Sequence, residues 1–492
     1  MLWNAVKSAA KFGVGYVLTN RKGGKLLRPW QARHLLSHRH RGLVVDGYKL
    51  RLSEKSCFNH CALIAGTGWG KTTSFVIPNL YRLARSLCSL VVTDPKGEIH
   101  ALIGGYLRQR GFHVVVLNPA NVDASDRYNP FAHIRSSRDL NRMAAVIMGW
   151  KDSSREEEKF WIAGAVEIFS ILAEALIRRG SRCSGLHNVY RLLLNFGGDG
   201  RPLDSFMVRT CNQGNREDHL FNRYLGFVEG NARSIQTFVT VAGNALRGMA
   251  DVDFARLLGS NDVDFRTLRT EKTAVFLCIP PNSSEYQLMV DLFVSQLFDA
   301  LMQRLPSKKE LNVYCFLDEF GNMSLPNFGS TLTTIRAYRV SISILLQSLS
   351  QLEDRYGASQ AKTILQGGIG TKIFGTAEAE TADYVERIIG RRRGEAFWRS
   401  PLDPVYEVPL LSAAEVRALD ERKALLVARN SPPVLLETTP WYEQPECVRR
   451  LKRATRREKR FVRERRPEQP MYWVNVNEER TKGHKTKMKS SE

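Results

Sequence analysis

Eight residues from Ala65 to Thr72, Ala-Gly-Thr-Gly-Trp-Gly-Lys-Thr, constrain this chain more than any other stretch. They follow the apolar run Cys61 to Ala65 and lead into Thr73-Ser-Phe-Val-Ile-Pro-Asn-Leu80, which reads as strand, glycine loop and helix in succession. Gly66, Gly68 and Gly70 free the backbone for tight turns, so that N–H groups can converge on phosphate oxygens. The helix N-terminus behind the loop adds its partial positive charge. Lys71 is placed to reach the β- and γ-phosphates of a nucleotide, and the Thr72 hydroxyl to ligate Mg²⁺. The strict pattern has glycine where Ala65 stands, and the three remaining glycines supply the needed freedom. The nucleotide-binding set expected here is Gly66, Thr67, Gly68, Trp69, Gly70, Lys71, Thr72 and Thr73.

A phosphate loop names a ligand class without saying what the energy is for. The run Asn312-Val-Tyr-Cys-Phe-Leu317 reads as a buried strand and ends in Asp318-Glu319-Phe-Gly-Asn-Met323. Apolar residues closing on two adjacent carboxylates suit a parallel strand whose C-terminal end opens on an active site. Asp318 is expected to hold Mg²⁺ opposite Thr72, and Glu319 to polarise the water that attacks the γ-phosphate. Such a pair alone is usually a solvated loop, and the phosphate loop on the same chain favours the catalytic reading. Two carboxylates in tandem also favour hydrolysis over a kinase or a switch.

Further runs share this grammar: Leu90-Val-Val-Thr-Asp94-Pro95-Lys96-Gly97-Glu98, Phe112 to Pro119, Tyr128-Asn129-Pro130-Phe131 and Ser343-Ile-Leu-Leu-Gln347-Ser-Leu-Ser-Gln351. With AGTGWGKT, IPNL, DPKGE, LNP, YNPF, LDEFGNM and LLQSLSQL in this order, the chain resembles the coupling proteins of conjugation and type IV secretion, the VirD4/TraG group of ring-forming DNA-translocating ATPases. The resemblance runs from about Gly42 to Pro433. It implies ATP with Mg²⁺, Gln347 as a γ-phosphate sensor, and Arg336 as an arginine reaching the nucleotide of a neighbouring subunit. Arg339 competes for that last role, and a plain surface position is the bland alternative for Arg336. Lys96 and Glu98 are coupling residues by analogy only.

At 492 residues the chain is too long for one compact core. The expected fold class is α/β: a RecA-like P-loop NTPase domain with a parallel-rich central sheet, an inserted all-α domain, and basic, flexible termini. The expected boundaries are 1–41 for a basic N-terminal segment, 42–137 and 263–440 for the NTPase domain, 138–262 for the insertion, and 441–492 for a basic tail. Inside the insertion, Ser154-x-x-Glu157 resembles a capping box ahead of the apolar run Phe160 to Ile177. That run is long enough to span a bilayer, yet Glu167 and Glu174 within it favour a core helix.

Charge gathers at the ends. Residues 1–55 hold twelve Lys/Arg against two acids, and residues 447–492 hold sixteen against six, each a net +10 of the chain's +22. Arg449 to Arg466 suits DNA backbone, acidic headgroups or an acidic partner, with a solvated tail as the plain alternative. Most relatives begin with two transmembrane helices; here Trp3 to Leu18 is interrupted by Lys7 and Lys11 and is too short to span. It also lacks a signal-peptide cleavage site. The eight cysteines form no Cys-x-x-Cys pair and read as buried thiols of a reducing cytosol. Neither Cys57, His60 and Cys61 nor His34, His38 and His40 has the second half that a zinc site needs.

Together these readings predict a hexameric, ATP- and Mg²⁺-dependent motor that moves single- or double-stranded DNA, with a relaxase or other secreted substrate, into a type IV secretion channel. Its expected place is cytoplasmic, at the inner face of the bacterial inner membrane, through channel components or peripheral contact with anionic lipid. The alternatives are a DNA pump of the FtsK/HerA kind without a channel, and a docking receptor whose nucleotide site is mainly structural.

Overall fold

The computed structural model of the chain describes residues 24–149, 156–211, 218–280, 284–393, 407–458 and 471–474. The segment Trp3 to Leu18, Ser154 of the expected capping box, and most of the basic stretch after Glu458 lie outside them. The chain divides into two compact units, one of residues 1–83, 319–321 and 341–450, the other of residues 84–318, 322–340 and 451–492. Nine strands form the scaffold: β1 (Cys61–Ile64), β2 (Cys88–Thr93), β3 (His113–Leu117), β4 (Thr273–Leu277), β5 (Asn312–Leu317), β6 (Val340–Leu346), β7 (Thr371–Phe374), β8 (Lys423–Ala428) and β9 (Val434–Glu437).

In the first unit the strands lie in the order β9-β8-β7-β1-β6. β1 is parallel to both neighbours, with Ile64 opposite Leu346 of β6 and Phe374 of β7. β8 is antiparallel to β7 and to β9. All four residues of β1 and all seven of β6 are buried, as a strand covered on both faces requires.

The helix that follows the glycine loop starts with a π turn over Thr72–Val76 and continues as an α-helix over Ile77–Leu83. A strap of residues 42–52 fastens it. Asn79 is fully buried. Its Oδ1 accepts from Val44 N–H at 2.7 Å, and its Nδ2 donates to the carbonyls of Val44 (2.9 Å) and Phe75 (2.8 Å). The strap turns where Asp46 Oδ1 accepts from the N–H groups of Tyr48, Lys49 and Leu50. Gly47 sits at φ 75°, where an added Cβ would come within 2.3 Å of the Thr439 carbonyl and 2.7 Å of that of Ser74.

In the second unit the strands are all parallel, in the order β5-β2-β4-β3. Between β3 and β4 every described element is helical: Ser137–Ile147, Glu156–Arg178, Leu186–Leu194, Arg201–Thr210, His219–Val228, Ala232–Ala245, Val252–Gly259 and the single turn Thr267–Thr270, with short 3₁₀ turns. Their starts are written in the sequence. Ser136 and Asp139 form a reciprocal capping box, and Asp218, Asn231 and Asp251 each accept N–H bonds from the first turn behind them.

Glu156–Arg178 is the one helix among the described residues long and apolar enough to cross a membrane, and 56% of its apolar window is buried in the protein. Its two inner acids are paired. Arg223 donates to Glu167 at 2.9 Å and to Glu174 at 3.1 Å, and Arg178 bonds Glu174 and Asp218. Protein partners for both carboxylates fit a core helix of this lobe.

The stretch expected as a basic tail opens differently. Pro445–Glu458 is an α-helix with Cys447, Leu451 and Ala454 buried. Its apolar positions recur every three or four residues, a spacing that the density of arginines hides. All eight cysteines are buried and none is in a disulfide, and no metal-holding cluster occurs among the described residues. His60 is fully buried at φ 61°, and its Nδ1 accepts from Ile342 N–H at 3.1 Å, so it is a core residue of the first unit.

Asn79→Ala leaves the N–H and C=O of Val44 buried without their partner. A loss of about 2–4 kcal/mol of unfolding free energy is expected, read as a lower urea midpoint. An unchanged midpoint would mean that the strap does not fasten the helix.

Candidate active site

Parallel pairing of β1 with β6 determines what faces the glycine loop. Ala65 N–H donates to the Leu346 carbonyl at 3.2 Å, so the chain leaves both strands at the same level, into the loop on one side and into Gln347 on the other. Thr67 Oγ1 then lies 3.4 Å from Gln347 Oε1. Gln347 is exposed, and its N–H donates to Gln351 Oε1 at 3.1 Å.

The loop itself needs its glycines. Gly68 and Gly70 both lie at φ 88°, a region L side chains avoid, and nothing within 4 Å would meet a Cβ on Gly68. Gly66 N–H donates to the Thr376 carbonyl at 2.8 Å, and Thr376 Oγ1 donates to that of Leu419. Lys71 Nζ donates to the carbonyls of Ala65 (2.6 Å) and Gly66 (3.2 Å), and Thr73 Oγ1 to that of Gly70. Its ammonium therefore lies over the loop, at the N-terminus of a helix, and this arrangement suits a polyphosphate.

Trp69 departs from a plain phosphate loop. It is 5% exposed, its Nε1 donates to the Lys423 carbonyl at 3.2 Å, and a Cβ on Gly375 would come within 2.5 Å of its ring. The loop is thus pinned at its middle to β8 and to the turn after β7.

The two carboxylates end β5. Asp318 closes the second unit's strand, and its backbone carbonyl accepts from Thr93 Oγ1 at 2.9 Å. Glu319 belongs to the first unit and sits at φ 52°, a left-handed conformation costly for a residue with a Cβ. Both side chains are half-buried. Behind Glu319, Phe320 stacks on Tyr356 at 5.7 Å, and Gly321 lets Gln351 approach closely.

In the second unit, Asp94 at the end of β2 is 1% exposed, and its Oδ2 accepts from His100 N–H at 2.7 Å. Burial pushes its carboxyl above the ordinary carboxylate range; the His100 and Ile99 N–H bonds oppose the shift, and the charges of Asp318 and Glu98 add to it. Asp94 is the residue that sequence reading passed over, although the strand-end position before Pro95 that it shares in kind with Asp318 was the available signal.

The two candidate arginines differ. Arg336 follows helix Phe328–Ile335 and is exposed. Arg339 lies at φ 53°, and its guanidinium donates to the carbonyls of Ser307 and Glu310, the latter at 2.8 Å. Lys96 and Glu98 flank Gly97, whose φ of 70° begins helix Glu98–Gln109.

The family model for Type IV secretory system conjugative DNA transfer matches residues 33–464. The chain is 27% identical over 417 residues to Protein VirD4 of Rhizobium radiobacter, covering 80% of this chain and 58% of that one. It is 22% identical over 420 residues to the conjugal transfer protein TraG of the same organism, at 79% and 64% coverage. The chain thus spans about three fifths of the length of these curated relatives. Among solved structures it superposes on the plasmid coupling protein TrwB in complex with ADP and Mg²⁺, with TM-score 0.67, 16% identity, and 85% and 93% of the two chains covered. TrwB with a non-hydrolysable ATP analogue superposes at 0.66, with 16% identity over 85% and 94%. At such identities the likeness is one of fold, and it agrees with the expected RecA-like domain bearing a helical insertion.

Gly375→Ala drives a methyl group into the Trp69 ring. A loss of about 1–3 kcal/mol in stability is expected from overpacking, with a measurable change in tryptophan emission. If emission and melting temperature both stay at wild-type values, Trp69 does not pin the loop.

Proposed function

The chain belongs to the Type IV secretory system conjugative DNA transfer family, and from that premise we propose that it is an ATP-hydrolysing motor that moves DNA, alone or with a bound protein, into a secretion channel. The observation that carries this reading is the pairing of β1 with β6, which brings a phosphate loop and Gln347 side by side, with Thr67 Oγ1 3.4 Å from Gln347 Oε1. ADP with Mg²⁺ bound to TrwB supports ATP as the substrate.

In this reading Gly66, Thr67, Gly68, Trp69, Gly70, Lys71, Thr72 and Thr73 hold the polyphosphate. Thr72 and Asp318 would hold Mg²⁺, which supplies charge neutralisation on the phosphate oxygens. Glu319 accepts a hydrogen bond from the attacking water and takes its proton. Gln347 senses the γ-phosphate, and its bond to Gln351 passes that contact to the helix Leu349–Tyr356. Asp94, whose carboxyl burial pushes above the ordinary range, lies beside Asp318, whose charge adds to that shift.

Arg336 acts on a neighbouring subunit's nucleotide. Its exposure supports this over Arg339, whose guanidinium is occupied by its own chain's carbonyls. An arginine supplied in trans requires a neighbouring subunit at a head-to-tail interface, and a homohexameric ring is the proposed assembly. Association with the inner face of the membrane comes through channel partners or the basic ends. ATP turnover with and without single- and double-stranded DNA, beside a molar-mass determination, tests the whole reading. Turnover unaffected by DNA in a monomeric protein overturns it.

Glu319→Gln preserves size and hydrogen bonding but is a far weaker base. ATP binding should survive while turnover falls at least about 100-fold. Normal turnover in this variant removes Glu319 from the mechanism.

Arg336→Ala and Lys71→Ala subunits should each be inactive alone. Mixed, they should regain part of the activity, because some interfaces then join an intact phosphate loop to an intact arginine. Mixed rings that form without recovery would argue that Arg336 does not act in trans.

A further inference from the structure

Residues Met471–Val474, near the C-terminal end, lie without regular secondary structure along helix Leu186–Leu194 of the same compact unit. Their main chain is what the helix holds. Asn188, fully buried, donates from Nδ2 to the Tyr472 carbonyl at 3.0 Å and accepts at Oδ1 from Val474 N–H at 3.0 Å. His187 Nε2 lies 3.1 Å from the same carbonyl. One side-chain amide that takes a C=O and an N–H two residues apart does what a neighbouring β-strand does, and it reads extended backbone whatever its side chains.

Side chains then add selectivity. The Trp473 ring meets His187 edge-on at 5.0 Å and lies 5.6 Å from the Arg191 guanidinium. Val474 is 2% exposed, and Met471 Sδ lies 3.5 Å from where a Cβ on Gly259 would stand. Met471 and Tyr472 also line a cleft of about 840 Å³, together with Arg127, Arg182, Arg256 and Asn261. The seat therefore combines a built backbone clamp, an aromatic contact and a buried position for Val474.

A four-residue contact of this kind is small. Covalent attachment favours it: a segment on the same chain acts at an effective concentration in the millimolar range. We propose that this face of helix Leu186–Leu194 is a docking site for an extended peptide carrying an aromatic residue followed by a small apolar one, and that residues 471–474 are its occupant, seated in cis and exchangeable with a separate peptide of the same pattern. The proposal is independent of the nucleotide site.

The test uses the full chain. Trp473→Ala with Val474→Pro removes the aromatic contact and the N–H that Asn188 accepts, leaving the groove residues intact. A fluorescent peptide of residues 469–476 should bind this emptied chain at least tenfold more tightly than wild type, whose own tail competes. Adding Asn188→Ala should weaken binding at least tenfold. Because Asn188 also donates to the Cys183 carbonyl, Arg191→Ala provides a second receptor variant that spares this buried bond, and it should weaken binding several-fold. A scrambled peptide should not bind. Equal binding to the emptied and wild-type chains overturns the proposal, as does binding insensitive to both Asn188→Ala and Arg191→Ala, or no binding to an emptied chain that melts as wild type does.

Discussion

The parallel register of β1 on β6 is the constraint on which the candidate site rests. With Ile64 opposite Leu346, the glycine loop and Gln347 leave the sheet together. Each strand's side chains alternate between faces, so a slip of one residue would send every side chain of the slipped strand to the opposite face and offset the glycine loop from Gln347. Complete burial of both strands makes such a slip costly, because every misplaced residue would have to find a new socket in a close-packed interior. The loop's remaining freedom is removed from outside: Asn79 ties the following helix to Val44, Gly66 is bonded to Thr376, and Trp69 reaches Lys423.

Much of this was legible in the sequence, because strand–glycine–helix grammar is local. Apolar runs ending in polar residues marked β1, β2, β5 and β6 before any contact was known. The anchors were not legible. Thr376, Gly375 and Lys423 lie some 300 residues or more along the chain from the loop they hold, and nothing in their own neighbourhoods marks them. Asn79 was visible within Ile77-Pro-Asn-Leu80 only as a polar residue in a helix, since a long-range clamp onto main chain leaves no periodic trace. Asp94 was quoted within its motif but not weighed, because its environment depends on which strands are neighbours. The choice between Arg336 and Arg339 likewise turned on carbonyls at Ser307 and Glu310 that only folding supplies.

Within the helical insertion, Glu167, Glu174, Arg178, Asp218 and Arg223 form one linked set of ion pairs. Their side chains are partly open to water, so each pair adds little stability by itself. Their larger effect is on alternatives. An apolar helix with two acids on it packs against helix His219–Val228 in the rotation that gives both acids a partner, and other rotations leave a carboxylate against apolar neighbours.

Glu319 is the one carboxylate of the candidate site whose backbone is strained, at φ 52°. Glycine or asparagine would relax that conformation, and left-handed geometry in a glutamate costs of order 1–3 kcal/mol. With Glu319 as the base proposed above, stability and chemistry pull in opposite directions at this position. On that reading, a search for heat-resistant variants that did not also demand turnover would be drawn to replace Glu319, and would return a sturdier protein without turnover. In the proposed role, this residue is a place where activity is kept against the preference of the backbone.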